Sequence, residues 1–207
     1  MSTITIIGSG NVGSAVAAVV AKGGASVQVL GRDLDKAAAL ASQVGGTSGS
    51  VGDAITGDIV VLTVPYAALS ELADLYGSQL DGKAVVDVTN PLDFSTFDSL
   101  TVAAGSSAAD ELQAKLPNAK VLKAFNTVFA GALAAGKAGD APVTVLVAGD
   151  DATAKQALID AVTAGGVAAV DAGSLKRAHE LEALGFLQLT LAAGETIGWT
   201  GGFTLNK

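Results

Sequence analysis

A β-branched run that breaks into three glycines constrains the fold of this chain more than any other stretch. Residues 3–7 are all threonine or isoleucine, and Gly8, Gly10 and Gly13 follow at G-x-G-x-x-G spacing. Such spacing lets a strand turn sharply, brings bare backbone against a pyrophosphate, and lets the next helix pack closely. A helix over roughly 11–22 would direct its free N–H groups at the phosphates. The stretch therefore predicts a dinucleotide site built from backbone.

The surroundings of the glycines distinguish this interpretation from a tight turn that binds nothing. Small residues at 14–21 predict a helix, Gly23 and Gly24 would end it, and a second apolar strand is predicted at 26–30. A strand, a glycine turn, a helix and a second strand form the unit that the motif requires. We therefore favour a dinucleotide site over an empty turn.

Apolar runs of strand length alternate with helix-favouring segments along most of the chain. Near-continuous apolar strands between helices predict a doubly wound α/β fold of the Rossmann type, with a mostly parallel sheet covered on both faces. Residues 45–50 are too rich in glycine to be assigned as a strand. The other strand runs are 26–30, 58–64, 83–88, 119–125, 143–148 and 166–170, and the helical segments are 36–41, 68–75, 108–116 and 152–162.

Length and composition limit the kinds of partner. A chain of 207 residues is long enough for one globular domain with a small appendage. The net charge of −8 opposes association with nucleic acid or an anionic membrane. Cysteine is absent from the sequence, which excludes disulfides and thiolate chemistry. Because we find no leader and no apolar stretch of about 18 residues, we expect a cytoplasmic protein without a membrane partner.

The C-terminal segment differs in character from the rest. After Ser174, a candidate N-cap, residues 175–193 read as one helix that is apolar nearly all round after Ala183. Such a helix must be buried on every side. We expect a second copy of the chain to cover it, giving a homodimer, and the alternative is a monomer whose own tail folds across it. We therefore divide the chain into a dinucleotide-binding domain at 1–172 and a C-terminal helix and tail at 173–207.

The end of the second strand predicts NADP(H) rather than NAD(H). An NAD site normally has an acidic residue there, but this strand runs into Gly31 and Arg32. Asp33 stands beyond the strand end, where it fits as the N-cap of a helix at 34–42. Arg32, with Lys36 one helical turn further on, suits a 2′-phosphate, and the alternative is an exposed loop arginine.

Other strand ends should line the crevice beyond the carboxyl edge of the sheet. Thr63 and Pro65 would lie beneath the adenosine half of the dinucleotide. Asn90 and Asn126 would lie near the nicotinamide and could hydrogen-bond its amide or ribose. Each asparagine could equally be a loop residue that bonds its own turn.

Groups suited to acid–base catalysis are scarce. No Tyr-x-x-x-Lys pair is present, and no strand end offers an obvious general acid for carbonyl reduction. The single histidine, His179, is more typical of a solvated or interface residue than of a catalyst. A protein of this kind can still move a hydride if it stacks donor and acceptor rings in contact. We therefore assign no catalytic side chain and no metal ligand.

Together these motifs resemble the NADPH-dependent coenzyme F420 reductases, whose superfamily includes the soluble domains of six-transmembrane ferric reductases. The resemblance covers nearly the whole chain in order and spacing; its motifs lie at 8–13, 31–32, 63–65, 87–91, 123–127, 148–151, 170–175 and 181–186. It implies direct hydride exchange between NADP(H) and the deazaflavin F420, stacked between the sheet and the C-terminal segment, usually in a homodimer.

The resemblance also implies roles for individual residues. Pyrophosphate contacts would come from Ser9, Asn11 and Val12, and 2′-phosphate contacts from Arg32 and Lys36. The acceptor would be bordered by Asn126 and by three residues of the tail, Trp199, Gly201 and Phe203.

Two departures from the family pattern leave the identity of the hydride acceptor undecided. Gly31 stands where better-known members have serine or threonine, and Asn126 stands where an archaeal member has histidine near the acceptor. The same scaffold could pass a hydride to FMN, FAD or another flat acceptor. The alternatives are a non-catalytic NADP-sensing module and a reductase of imines or carbonyls on small metabolites.

Overall fold

The computed structural model describes residues 2–205, in which short apolar strands alternate with helices. The strands are β1 (Thr3–Ile7), β2 (Ser26–Gly31), β3 (Thr47–Ser50), β4 (Ile59–Leu62), β5 (Ala84–Asp87), β6 (Lys120–Lys123), β7 (Lys137–Ala138), β8 (Ala141–Pro142), β9 (Thr144–Gly149) and β10 (Ala168–Gly173). The α-helices are α1 (Asn11–Lys22), α2 (Leu34–Val44), α3 (Leu69–Tyr76), α4 (Ala108–Lys115), α5 (Ala130–Ala135), α6 (Ala152–Ala164) and α7 (Ala178–Ala193).

Eight of these strands form one twisted sheet in the order β10-β9-β6-β5-β4-β1-β2-β3, and β7 pairs with β8 in a small separate hairpin. Strands β1 to β6 are parallel, whereas β9 pairs antiparallel with β6 and β10 is parallel to β9. Since β2 and β4 lie on opposite sides of β1, the chain order reverses at β1. Ligands of open α/β sheets bind in the crevice at such a reversal.

Both faces of the sheet are covered. Helices α1, α2, α5 and α6 pack on one face, and α3 and α4 pack on the other. Ile4 and Ile6 belong to the first core and Ile7 to the second, and all three are fully buried. Burying each such side chain contributes about 1.5–3 kcal/mol. The predicted doubly wound, mostly parallel fold is confirmed.

One strand was not expected from the sequence. The glycine-rich segment at 45–50 contains β3, which pairs in parallel with β2 along the sheet edge. An added Cβ at Gly46 would lie 2.4 Å from the carbonyl oxygen of Val27. The glycines therefore allow a close approach to the neighbouring strand, and pairing with β2 overrides their poor strand propensity.

The C-terminal helix begins later than predicted. Ser174 precedes a short 3₁₀ turn, Leu175–Arg177, without capping it through its side chain, and α7 starts at Ala178. Within one chain α7 buries one side, through Leu181 and Gln188 among others, while Leu187 is 50% exposed. The homodimer and the division at residue 172 stay predictions. Within 2–205, the helices are too short or too polar to cross a membrane.

Candidate functional site: two pockets beside a helix N-terminus

The three glycines of the turn between β1 and α1 have different surroundings. Gly8 has a φ of 118°, and an added Cβ there would lie 2.3 Å from the carbonyl oxygen of Thr63. A Cβ on Gly13 would lie 2.3 Å from the carbonyl oxygen of Gly8. A Cβ on Gly10 would meet nothing within 4 Å. Gly8 and Gly13 are therefore required by packing, whereas Gly10 leaves an open face of backbone.

The N-terminus of α1 lies behind that open face and suits an anion. Gly10 is its N-cap and brings no side chain to satisfy the first N–H groups, and the first turn contains no acidic residue. Unpaired N–H groups and the positive end of the helix dipole favour phosphate at such a terminus. The turn is also fixed, because the Thr63 hydroxyl shares its one proton between the carbonyl oxygens of Ile7 and Gly8, at 3.1 and 3.0 Å. Thr63 therefore holds the turn through its side chain.

One cavity lies on the β2 side of this terminus, and we call it the β2 pocket. Its volume is about 330 Å³. It brings together seven of the predicted residues, namely Gly8, Ser9, Gly10, Arg32, Lys36, Thr63 and Pro65, and is completed by Asp33, Val51, Val64, Ala68, Glu71, Leu72 and Leu75. The apolar members suit an adenine ring, and the glycines and cations suit phosphates.

The two cations of the β2 pocket differ in their partners. Arg32 is exposed and makes no ion pair within residues 2–205. Lys36 Nζ lies 3.2 Å from the Asp33 carboxylate, and both side chains are exposed to solvent, so this pair stabilises the fold little. As predicted, Asp33 caps α2, accepting a hydrogen bond of 3.1 Å from the Lys36 backbone N–H. That bond, with the Lys36 ammonium, lowers the pKa of Asp33.

A second cavity, the tail pocket, lies on the other side of the same helix N-terminus and has a volume of about 370 Å³. Trp199 forms part of its wall and packs against Phe129, with the ring centroids 5.1 Å apart. The predicted residues Asn11, Val12, Asn90, Asn126 and Trp199 line it together with Val88, Phe125, Val128, Phe129, Ala130, Gly131 and Leu189.

The rest of the tail lies beside the tail pocket rather than in its lining. Phe203 donates its backbone N–H to the side-chain oxygen of Gln188 at 3.2 Å, and the residue is 47% exposed. A Cβ on Gly201 would meet the carbonyl oxygen of Gly198 at 3.1 Å, so this glycine serves a tight local turn. The structure therefore brings Trp199 to the pocket but not Gly201 or Phe203.

The two asparagines bond each other rather than their own turns. Asn90 donates its side-chain amide to the Asn126 carbonyl at 2.9 Å, and Asn126 donates to Asn90 Oδ1 at 2.9 Å and to the Leu181 carbonyl at 2.8 Å. Asn126 Oδ1 is buried without a partner among the described residues. Helix α7 approaches so closely that a Cβ on Gly185 would lie 2.3 Å from Asn90 Oδ1. The C-terminal helix thus fixes both amides.

A buried ionic cluster, which sequence reasoning missed, lies at the ends of β5 and β6. Lys123 Nζ donates hydrogen bonds of 2.7 Å to Asp87, 2.7 Å to Glu182 and 2.6 Å to the Thr89 carbonyl. The three charged side chains are 0% exposed. The sequence did carry a signal, because Asp87 and Lys123 each end a short apolar run, and a buried charge requires a partner.

Glu182 also connects α7 to a neighbouring helix. Its carboxylate accepts the backbone N–H of Ala108 at 3.0 and 3.1 Å, at the start of α4. Burial raises the pKa of Glu182, and the Lys123 ammonium and the Ala108 N–H oppose that rise. The cluster therefore links β5, β6, α4 and α7.

Two further titratable side chains lie outside both pocket linings. The Tyr66 hydroxyl donates to Glu111 at 2.5 Å. Burial and then this hydrogen bond raise the pKa of Tyr66 to about 12. His179 Nδ1 lies 3.2 Å from the carbonyl oxygen of Ser106, which gives the ring a structural partner.

The residues present fit an extended dinucleotide. Gly8 and Gly10 line the β2 pocket and Asn11 and Val12 line the tail pocket, so the two cavities meet at the N-terminus of α1. A pyrophosphate at that terminus would have a nucleoside half on each side. The open face of Gly10 and the unpartnered Asn126 Oδ1 are consistent with this arrangement.

Residues 3–91 match the family described as NADP oxidoreductase coenzyme F420-dependent. The chain is 34% identical over 134 residues to the F420-dependent NADP reductase of Methanocaldococcus jannaschii, covering 62% of this chain and 59% of that protein. It is 33% identical over 184 residues to metalloreductase STEAP3 of Rattus norvegicus, covering 87% of this chain and 36% of that protein. The chain thus spans less than two thirds of the length of either relative.

A solved structure extends the likeness to the whole fold. The crystal structure of a proposed F420-dependent NADP reductase from Arthrobacter sp. FB24 superposes with a TM-score of 0.85. The two chains are 26% identical, and the alignment covers 100% of each. The similarity therefore includes α7 and the tail as well as the sheet.

Proposed function

We propose that this chain, whose residues 3–91 match the family of coenzyme F420-dependent NADP oxidoreductases, belongs to that family and transfers a hydride directly between NADP(H) and a deazaflavin such as F420, or a flavin. The observation that carries the proposal is the pair of pockets on either side of one uncapped helix N-terminus. A dinucleotide spanning that terminus would have its adenosine half in the β2 pocket and its nicotinamide half in the tail pocket.

Residues of the β2 pocket would hold and select the nucleotide. Ser9 and the N–H groups at the start of α1 would bind the pyrophosphate. Arg32 would bind the 2′-phosphate, because its guanidinium is exposed in the pocket with no competing carboxylate bonded to it. Lys36 would also bind the 2′-phosphate, giving up its ion pair with Asp33. When bound, the nicotinamide supplies the hydride chemistry.

Residues of the tail pocket would position two flat rings. Phe129 and Trp199 offer aromatic walls, and Asn90 and Asn126 are held rigidly by each other and by α7. Asn126 Oδ1 would accept a hydrogen bond from the nicotinamide amide after a small local adjustment. Trp199 would then cover the acceptor ring from the tail side.

The reaction balances without a protein acid. A hydride carries two electrons from NADPH to the acceptor, which takes one proton from solvent, so NADPH, H⁺ and acceptor yield NADP⁺ and reduced acceptor. Contact between the rings supplies the effective concentration that the step needs. Reduction of a carbonyl would instead call for a placed donor. This difference favours a ring acceptor over small-metabolite imines or carbonyls.

Turnover is also favoured over a purely sensory role. A nucleotide sensor needs the β2 pocket, but it has less reason to fix an aromatic tail over a second cavity. The same proposal includes a homodimer whose second copy covers the exposed side of α7, near Leu187. It also includes a cytoplasmic location.

A parallel acceptor assay tests the proposed function. Purified protein with NADPH would be offered F420, FMN, FAD and riboflavin separately, and nicotinamide absorbance would be followed. We expect rapid oxidation of NADPH with F420 or with a flavin. Tight NADPH binding with no acceptor reduced would contradict the proposed reaction and favour the sensing module.

A further inference from the structure

Asp33 does more than cap α2, because its carboxylate also lines the β2 pocket. One oxygen, Oδ1, accepts the backbone N–H of Lys36 at 3.1 Å, and the other, Oδ2, lies 3.2 Å from Lys36 Nζ. The Lys36 N–H and ammonium lower the pKa of Asp33, so the carboxylate is ionised at neutral pH. The cap therefore fixes a negative charge beside one of the two cations that we assign to the 2′-phosphate.

A 2′-phosphate in the β2 pocket would have to bind next to this charge. Arg32, which would hold the phosphate, is the chain neighbour of Asp33, and Lys36 can join it only by leaving Asp33. The displaced carboxylate would stay in the pocket, since its Oδ1 bond to the helix remains. A phosphate monoester carries about −1.5 to −2 charges at pH 7, and like charges repel. Asp33 therefore opposes the cations that attract the phosphate.

A nucleotide without the 2′-phosphate meets no such repulsion. Its adenosine ribose presents a neutral 2′-hydroxyl, and NAD sites commonly provide a carboxylate acceptor for it at the end of the second strand. Here Gly31 ends that strand, and an added Cβ would lie 3.1 Å from Ala37 Cβ and 3.2 Å from the Asp33 carbonyl oxygen. The crowding at residue 31 disfavours an acidic side chain there, and Asp33 is the carboxylate of the pocket lining nearest to that strand end in the chain.

The other carboxylate of the pocket lining has a different position. Glu71 belongs to α3 rather than to the end of β2, and it makes no ion pair within residues 2–205. Asp33, in contrast, already contacts Lys36. Asp33 is therefore the acid that competes directly with a phosphate for a cation.

From this arrangement we propose that Asp33 is a specificity-determining residue that lowers the preference of the β2 pocket for NADP(H) and lets this protein bind NAD(H) as well. Arg32 and Lys36 favour the 2′-phosphate. Asp33 opposes them, and it accepts the 2′-hydroxyl when the phosphate is absent. The inference rests on the proposed function, because it needs the adenosine ribose in the β2 pocket. Asp33 takes no part in the hydride transfer itself.

Binding equilibria of the two nucleotides test the inference without turnover. We would measure Kd for NADPH and NADH by calorimetry in the natural chain and in Asp33→Ser, since serine also caps helices but carries no charge. NADPH should bind more tightly and NADH more weakly, so the ratio of Kd(NADH) to Kd(NADPH) should rise roughly tenfold.

An acid on the same helix provides the matched control. Asp35 lies in the first turn of α2, is exposed and is outside the pocket lining. Asp35→Ser removes the same charge, and the ratio should change by less than about threefold. A change as large as that in Asp33→Ser would show a general effect of charge and would overturn the assignment to Asp33.

A second variant separates specificity from helix capping. Asp33→Asn keeps a capping side chain of the same shape without the charge, and it should raise the ratio in the same direction as Asp33→Ser. Equal weakening of both nucleotides in the two variants would show that Asp33 only holds α2, and would overturn the inference.

Failure of the inference can be told apart from failure of the proposed function. An unchanged ratio in Asp33→Ser, with NADPH bound and Arg32→Ala weakening it, would overturn the role of Asp33 and leave the proposed nucleotide site intact. Natural protein that binds NADPH but not NADH would have the same meaning. Failure of the natural protein to bind either nucleotide would overturn the proposed function.

Discussion

The two pockets that meet at the N-terminus of α1 are built in different ways. The phosphate-binding side of the β2 pocket comes from one continuous unit, β1 to α2, in which backbone geometry and local caps decide the shape; its other wall comes from Val51 and from residues between 63 and 75. The tail pocket is assembled from the ends of β5 and β6, from α7 and from the tail, and hydrogen bonds between distant residues hold it together. A substitution that damages the β2 pocket should therefore weaken nucleotide binding, whereas one that damages the tail pocket should weaken acceptor binding.

Removal of residues 198–207 should have the largest effect, and only on the acceptor side. Trp199 and its contact with Phe129 would be lost, leaving the tail pocket open on one side. Loss of ring positioning commonly costs about 100-fold in rate. We expect turnover to fall by roughly that factor or more, with the Kd for NADPH changed less than about threefold.

A shorter truncation provides the control for this deletion. A chain that ends at Leu205 keeps Trp199 and Phe203 and should keep its activity. Full activity after removal of 198–207 would exclude the tail from the acceptor site.

Arg32→Ala should weaken the binding of NADPH in the β2 pocket but not that of NADH. A guanidinium–phosphate contact is charge-assisted, and such contacts contribute about 1.5–3 kcal/mol, which is roughly tenfold to a hundredfold in affinity. The Kd for NADPH should rise by that factor while the Kd for NADH stays nearly constant. Arg177→Ala, an exposed arginine paired with Glu180, is the matched control. An equal loss for both nucleotides would show that Arg32 does not bind the 2′-phosphate.

Two glycine substitutions separate binding from folding within one turn. Gly10→Ala adds a methyl group to open space, so the melting temperature should hardly change while NADPH and NADH both bind about tenfold more weakly. Gly8→Ala places a methyl group 2.3 Å from the Thr63 carbonyl at a φ of 118°, which should cost roughly 1–3 kcal/mol of stability. Thermal melts and binding titrations would check both, and normal affinity in Gly10→Ala would argue against a phosphate at this turn.

The smallest expected effect lies outside both pockets and depends on pH. The folded-state pKa of Tyr66 is raised from 10.0 to about 12, so the folded protein retains a proton that the unfolded chain releases. The stabilisation is complete below pH 10 and is lost as the pH rises toward 12. Chemical denaturation between pH 9 and 12 should show this loss, and Tyr66→Phe should flatten it. A decline of the same size in Tyr66→Phe would assign it to other groups.

The sequence could predict what depends on local chemistry. The bounds of α1, the Asp33 cap and the apolar strands all follow from side chains within a few residues of each other. It could not predict β3, where Gly49 is a strand residue only because β2 lies beside it. Nor could it predict that Asp87, Lys123 and Glu182 meet, since the chain between Lys123 and Glu182 must first fold. The hydrogen bond from Asn126 to the Leu181 carbonyl depends on the same long-range packing.

Isotope transfer tests most directly the claim that two rings react in contact. The protein would be supplied with F420 and with NADPH carrying deuterium at C4 of the nicotinamide, each of the two stereoisomers in turn. Because carbon-bound hydrogen does not exchange with water, direct transfer predicts that one stereoisomer delivers its deuterium to the ring carbon of the reduced acceptor. Reduced acceptor that contains only solvent hydrogen with both stereoisomers would contradict direct transfer.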